Sequence, residues 1–141
     1  MSLLVIDASV AAKWSLQDEN LVVEAAALLD RYGRSEVRVT VPDLFWGEIA
    51  NILWKALLKR RCTREDIESS MTALKRLYLP TVPSTALIER AVQIAVDFNR
   101  SVYDSIYVAL AVEAHAVLIT ADEKLANAVA AYLPVKWLGA T

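Results

Sequence analysis

The sequence predicts an α/β fold, an open parallel sheet with helices on both faces. Three observations lead there. Short β-branched runs alternate along the chain with longer stretches of helical periodicity. The short runs are apolar at nearly every position, as strands buried on both faces require. Three glycines and four prolines in 141 residues, with no repeat or low-complexity tract, leave no linker between separate units. At this length and 56% hydrophobic content, residues 1–141 are expected to form a single domain with a sizeable core.

The elements follow in order. Leu3–Ile6 is the first strand, and Ser9–Leu16 a short helix after it. Glu19–Tyr32 reads as a second helix ending near Gly33. Val37–Val41 is the next strand, and Pro42 introduces a helix over Asp43–Arg60. Thr63 starts another helix to about Leu77, with Asp66 placed three residues on as in a capping box. Leu79–Val82 is a third strand, Ser84 caps a helix reaching Phe98, and Ser101 opens one running to His115. Val117–Thr120, a helix from Asp122 toward Tyr132, and a short strand Val135–Leu138 complete the order βααβααβααβαβ. Right-handed crossovers then put helices on both sides of one parallel sheet.

Composition narrows the class. No apolar run approaches the ~20 residues of a bilayer span, and MSLLVIDASV lacks the basic flank and long apolar stretch of a signal peptide. A soluble, cytoplasmic protein is expected, with no membrane partner. Cys62 is the only cysteine, which excludes an intramolecular disulfide and a cysteine-built metal cluster. The net charge of −2 hides an asymmetry: Lys55, Lys59, Arg60, Arg61, Arg64, Lys75 and Arg76 cluster in one segment. That run reads equally as a solvated helix face or a polyanion-facing surface.

Four acids stand where apolar residues are expected: Asp7 after LLVI, Glu48 inside an apolar helix, and Asp104 and Asp122 flanking an apolar segment. In open parallel sheets the functional crevice lies beyond the carboxyl ends of the strands, where winding reverses. Asp7 and Asp122 follow two such ends. Across Leu44–Leu58 the side chains that are neither apolar nor glycine are Glu48, Asn51 and Lys55, at i, i+3 and i+7, which puts them on one stripe. Asp104 lies in the first turn of SVYDSIYVALAVEA. Singly, each acid has a plain explanation as a cap or an exposed helical position. Together, four carboxylates without a nearby histidine or cysteine suit a hard divalent cation such as Mg²⁺ or Mn²⁺. Such an ion activates water for phosphodiester hydrolysis. Ser9 and Thr120, each two residues from an acid at the same rim, are candidate hydroxyls supporting the ligand carboxylates, and Asn51 shares the Glu48 stripe.

At these residues the chain resembles the PIN-domain family, and within it the VapC-type toxin ribonucleases of toxin–antitoxin pairs. VIDASVAAKW resembles the family's strand, aspartate, polar residue and helix, and VPDLFWGEIANIL its proline, spaced glutamate and asparagine. In YDSIYVALAVEAHAVLITADEKL, residues Asp104, Tyr107, Ala109, Leu110, Ala111, Thr120 and Asp122 keep the family's order and spacing. The resemblance implies a three-layer α/β/α sandwich and an Mg²⁺- or Mn²⁺-dependent endoribonuclease site at Asp7, Glu48, Asp104 and Asp122. It also implies an RNA substrate, an antitoxin partner and a homodimer. Some members carry a further acid shortly after the last aspartate. Here Glu123 is immediately adjacent, an outer ligand at most.

Two readings from other classes compete: a receiver-like Mg²⁺-binding phosphoacceptor, and a binding module whose acids are only caps. The first is disfavoured because strand one ends in a single aspartate. Lys13, Lys55 and Lys124 lie near the same rim by spacing and are expected to be solvated. His115, near a helix C-terminus, is expected to be held there by the dipole rather than to act as a base. Phe45, Trp46, Leu53, Trp54 and Leu57 make their helix apolar nearly all round, so Trp46 and Trp54 are expected to meet a second copy or an antitoxin helix.

Overall fold

A computed structural model describes residues 1–141. The elements are β1 (Ser2–Ile6), α1 (Ala8–Ser15), α2 (Val22–Gly33), β2 (Val37–Pro42), α3 (Leu44–Leu58), α4 (Arg64–Lys75), β3 (Thr81–Val82), α5 (Ile88–Phe98), α6 (Val102–Glu113), β4 (Val117–Thr120), α7 (Glu123–Val129) and β5 (Val135–Trp137). The expected order βααβααβααβαβ is the one observed.

All strand pairs are parallel, in the order β3-β2-β1-β4-β5. The chain winds outward from β1 to β3, then returns to β4 on the other side of β1. Winding therefore reverses between β1 and β4, whose register pairs Ile6 with Ile119. With right-handed crossovers, α1 to α4 cover one face and α5 to α7 the other. This order differs from the 2-1-3-4-5 arrangement of receiver domains, so the phosphoacceptor reading has no support in the topology.

The apolar runs explain the core. Val5 and Ile6 of β1 and Leu118 of β4 are completely or almost completely buried, as central strands require. In α6 every residue from Ser105 to Ala111 is buried, so this helix is covered all round. Its first turn, with Val102 and Tyr103 exposed and Asp104 half-buried, precedes that buried segment at the rim beyond β1 and β4.

Three expected boundaries move. The second helix starts at Val22, not Glu19, because Leu21 adopts a left-handed conformation (φ 59°). Side-chain bonds from Lys13 to Glu19 and Asn20, and from Arg61 to Asp18 and Glu19, hold the preceding residues as a loop. The third strand, expected over Leu79–Val82, shrinks to Thr81–Val82: Pro80 has no N–H for a ladder, and its carbonyl accepts from Val41 N–H (3.0 Å) and the Thr40 hydroxyl (2.9 Å). Ser84 begins a separate 3₁₀ turn, Ser84–Ala86, before α5 starts at Ile88. The Thr63–Asp66 capping box forms as expected, with both bonds made. Helix C-termini close without glycine: Ser35, Arg60, Asn99 and His115 all take positive φ. At His115, Ala116 N–H bonds Ala111 O at 2.8 Å and His115 N–H bonds Val112 O at 3.3 Å, the paired bonds of a Schellman cap.

Candidate active site

Asp7 follows Ile6 and caps α1 in extended conformation. It is 8% exposed, and its Oδ1 accepts from Val10 N–H at 3.3 Å and from the Ser9 hydroxyl. Ser9 Oγ in turn accepts from Ala121 N–H at 3.3 Å, so one serine bridges the β1 and β4 ends. Burial pushes the Asp7 carboxyl up to about 6, the bonds from Ser9, Thr120 and Val10 opposing it and the charge of Asp104 adding to it.

Asp122 caps α7, its Oδ1 accepting from Leu125 N–H at 3.2 Å. Its own N–H donates to Thr120 Oγ1 at 3.0 Å, and Thr120 is fully buried. Thr120 thus touches both aspartate turns. Asp104 lies in the first turn of α6, where its N–H donates to Ser101 Oγ at 3.0 Å. Its pKa is raised by burial and then by the charge of Asp122, while the Arg100 guanidinium, 4.0 Å away, lowers it.

Glu48 comes from α3. Its Oε1 accepts from the Tyr107 hydroxyl at 2.6 Å. Tyr107 is 3% exposed, and its hydroxyl lies within electrostatic reach of Asp7. Burial, then the hydrogen bond and charge of Glu48 and the charge of Asp7, hold this phenol far above its usual range, so it stays a donor.

The four acids are therefore electrostatic neighbours: Asp7 with Asp104, Asp104 with Asp122, and Glu48 with Asp7 through Tyr107. They adjoin without closing into a cage, since no three acidic, histidine or cysteine side chains surround one point. Asp7 and Asp122 each have one oxygen in a helix cap. The donor set is all oxygen, as a hard cation prefers.

Two depressions flank the rim. One, about 360 Å³, is lined by Asp43, Leu44, Gly47, Glu48, Asn51 and the 63% exposed Tyr103. Asn51 is exposed there and bonds none of the acids through its side chain. The other, about 270 Å³, holds Ser9, Lys13, Glu19 and Asp122 among its walls. Glu123 starts α7 and is exposed.

Several expectations change. Lys13 is not solvated: it is 5% exposed, with Nζ 3.2 Å from both Glu19 Oε1 and Asn20 Oδ1. An ammonium buried this deeply needs such partners. Lys55 and Lys124 are exposed as expected. Trp46 is not an open surface residue, because it donates to Thr81 Oγ1 at 3.1 Å and packs against the core, whereas Trp54 is 51% exposed. The basic run stays exposed, though Arg61 folds back onto Asp18 and Glu19. Tyr107 was legible only as part of a family pattern. Its place three residues after Asp104, on the same face of α6, was the signal for a role at the rim.

Residues 4–130 match the PIN domain family. The chain is 32% identical over 136 residues to a VapC ribonuclease of Mycobacterium bovis and to ribonuclease VapC9 of Mycobacterium tuberculosis, covering 94% of this chain and 96% of each relative. Among solved structures, it is similar in fold to PAE2754 from Pyrobaculum aerophilum, with TM-score 0.71, 19% identity, and coverage of 99% of this chain and 85% of that one. Mycobacterium tuberculosis VapC20, a sarcin-ricin loop cleaving toxin, matches with TM-score 0.66 and 18% identity over 89% of this chain and 95% of that one. VapBC2 from Rickettsia felis, bound to a DNA fragment from their promoter, matches with TM-score 0.68 and 10% identity over 96% and 98%.

Proposed function

Because the chain belongs to the PIN domain family and, within it, groups with the VapC ribonucleases, we propose that it is an endoribonuclease that hydrolyses RNA phosphodiester bonds with Mg²⁺ or Mn²⁺ at Asp7, Glu48, Asp104 and Asp122. The observation that supports this most is the uncompensated charge of the rim. Four carboxylates from four segments adjoin at the switch point, and the one ion pair among them is the long Arg100–Asp104 contact of 4.0 Å. Caps alone do not account for Glu48, which caps nothing.

When bound, a divalent cation lowers the pKa of a coordinated water and stabilises the departing oxygen. The chain's own groups prepare the place for it. Ser9 and Thr120 orient the aspartate turns, and the buried walls of α1 and α6 keep those turns rigid. Tyr103 offers an aromatic face beside Asp104 on which an unpaired base can stack.

The wider reading is a single-domain toxin of a VapBC-type pair, acting in the cytoplasm and restrained by an antitoxin. The exposed Trp54 and Leu58 on α3 are the surface for an antitoxin segment, and the exposed stripe Ile88, Val92 and Val96 on α5 is the surface for a second copy in a homodimer.

The deciding experiment incubates the purified chain with a mixed RNA pool in Mg²⁺, in Mn²⁺ and in chelator, beside Asp104→Asn. Expected is cleavage in either metal, none in chelator, and none by the folded variant. Cutting that ignores chelator, or that Asp104→Asn leaves undiminished, overturns the assignment.

A further inference from the structure

Glu48 is the acid of the rim with the least local support. Asp7 and Asp122 are anchored by their own caps, and Asp104 sits in the first turn of α6, directly before its buried segment Ser105–Ala111. Glu48 projects from α3 on a long side chain, is only partly buried, and has neither ion pair nor backbone bond. Its one hydrogen bond is the 2.6 Å contact from Tyr107. That tyrosine comes from the opposite layer and is itself fixed by burial, with the charge of Asp7 close by.

We propose that Tyr107 is a positioning residue, holding the Glu48 carboxylate of α3 at the rim that carries Asp7 so that Glu48 can contribute to binding a divalent cation. The inference rests on the metal-site reading above. A hydroxyl is suited to the task in a way that lysine or arginine is not. It fixes one carboxylate oxygen without placing a positive charge beside Glu48, and Oε2 remains unbonded. The Tyr107 ring leaves the helix among residues buried without interruption, so the hydroxyl position is set by the core.

The test is Mn²⁺ binding by calorimetry, without RNA, for wild type, Tyr107→Phe, Glu48→Gln and the double variant. Unfolding of each is also followed in chelator. Partners that orient metal ligands typically contribute 10–100-fold in affinity. Tyr107→Phe is expected to weaken Mn²⁺ binding within that range, and to weaken it by less than about twofold when Glu48 is already Gln, the signature of action through Glu48. Wild-type affinity in Tyr107→Phe, or an equal loss in both backgrounds, overturns the proposal while leaving the metal site standing. A wild type that binds no Mn²⁺ overturns the metal reading itself, and this proposal with it. If Tyr107→Phe does not fold, the wild type decides. With ¹³C-labelled tyrosine, the Tyr107 ring carbon bearing the hydroxyl is expected to shift on Mg²⁺ titration and saturate with binding, and an unmoved resonance overturns the proposal.

Discussion

Asp7 illustrates at residue scale what the site costs the metal-free protein. Its folded-state pKa of about 6 lies above the 3.8 of a free carboxyl. Between those values the native protein keeps a proton that the unfolded chain has lost, so stability from this group is greatest below the lower value and falls as pH rises through the upper one. The shift corresponds to about 3 kcal/mol at neutral pH. In chelator, Asp7→Asn is therefore expected to be more stable than wild type at about pH 7.5, with the difference shrinking toward zero near about pH 3.5. Denaturant unfolding at several pH values measures this, and a pH-independent difference would show that the buried charge is not the cause. Tyr103 makes a separate prediction. Base–aromatic stacking contributes about 1–3 kcal/mol per base, so Tyr103→Ala is expected to weaken RNA binding by roughly tenfold or more, with Tyr103→Trp close to wild type. Binding measured with Asp104→Asn, which leaves the RNA intact, separates affinity from cleavage.

The helices and strands decide how much of this was legible beforehand. Asp7 and Asp122 could be placed because an apolar run followed by a polar residue marks a strand end, and the parallel pattern brings such ends to one rim. Glu48 could be placed only on a stripe, since nothing along α3 reveals the tyrosine from another layer that holds it. Lys13 is buried because its near neighbours Glu19 and Asn20 lie in a loop whose shape depends on the left-handed backbone of Leu21 and on Arg61 across the α3–α4 corner. Contacts between elements far apart in sequence leave no periodic trace. The caps, being local, are readable, and they carry two predictions. Thr63→Ala removes one side of the capping box and should cost about 1 kcal/mol by thermal unfolding, with RNA cleavage unchanged. His115 is exposed with φ 53° at the end of α6, and a left-handed conformation strains any residue with a Cβ by roughly 1–2 kcal/mol. His115→Gly is expected to gain a fraction of that, and undiminished cleavage would confirm that the lone histidine is not the base.

Across the whole molecule, the rim is assembled from segments that only the complete sheet brings together. A cation bound there stabilises the native state and not the unfolded chain, so Mn²⁺ is expected to raise the unfolding temperature of wild type and chelator to reverse it. Asp104→Asn should lose most of that response. In sedimentation, Val92→Glu with Val96→Glu on α5 is expected to convert dimer to monomer, and a wild type that sediments as a monomer would remove the homodimer.

The winding of the sheet also has a consequence in time. β4, fourth in chain order, lies beside β1 at the centre, and the turn after it carries Asp122. Until β4 is in place, β1 has its β4-facing edge unpaired. A nascent chain lacking β4 has neither its central strand pair nor its last acid. A chain that stops before β4 is therefore expected to leave β1 with an unpaired edge and the rim without Asp122, and to cleave no RNA.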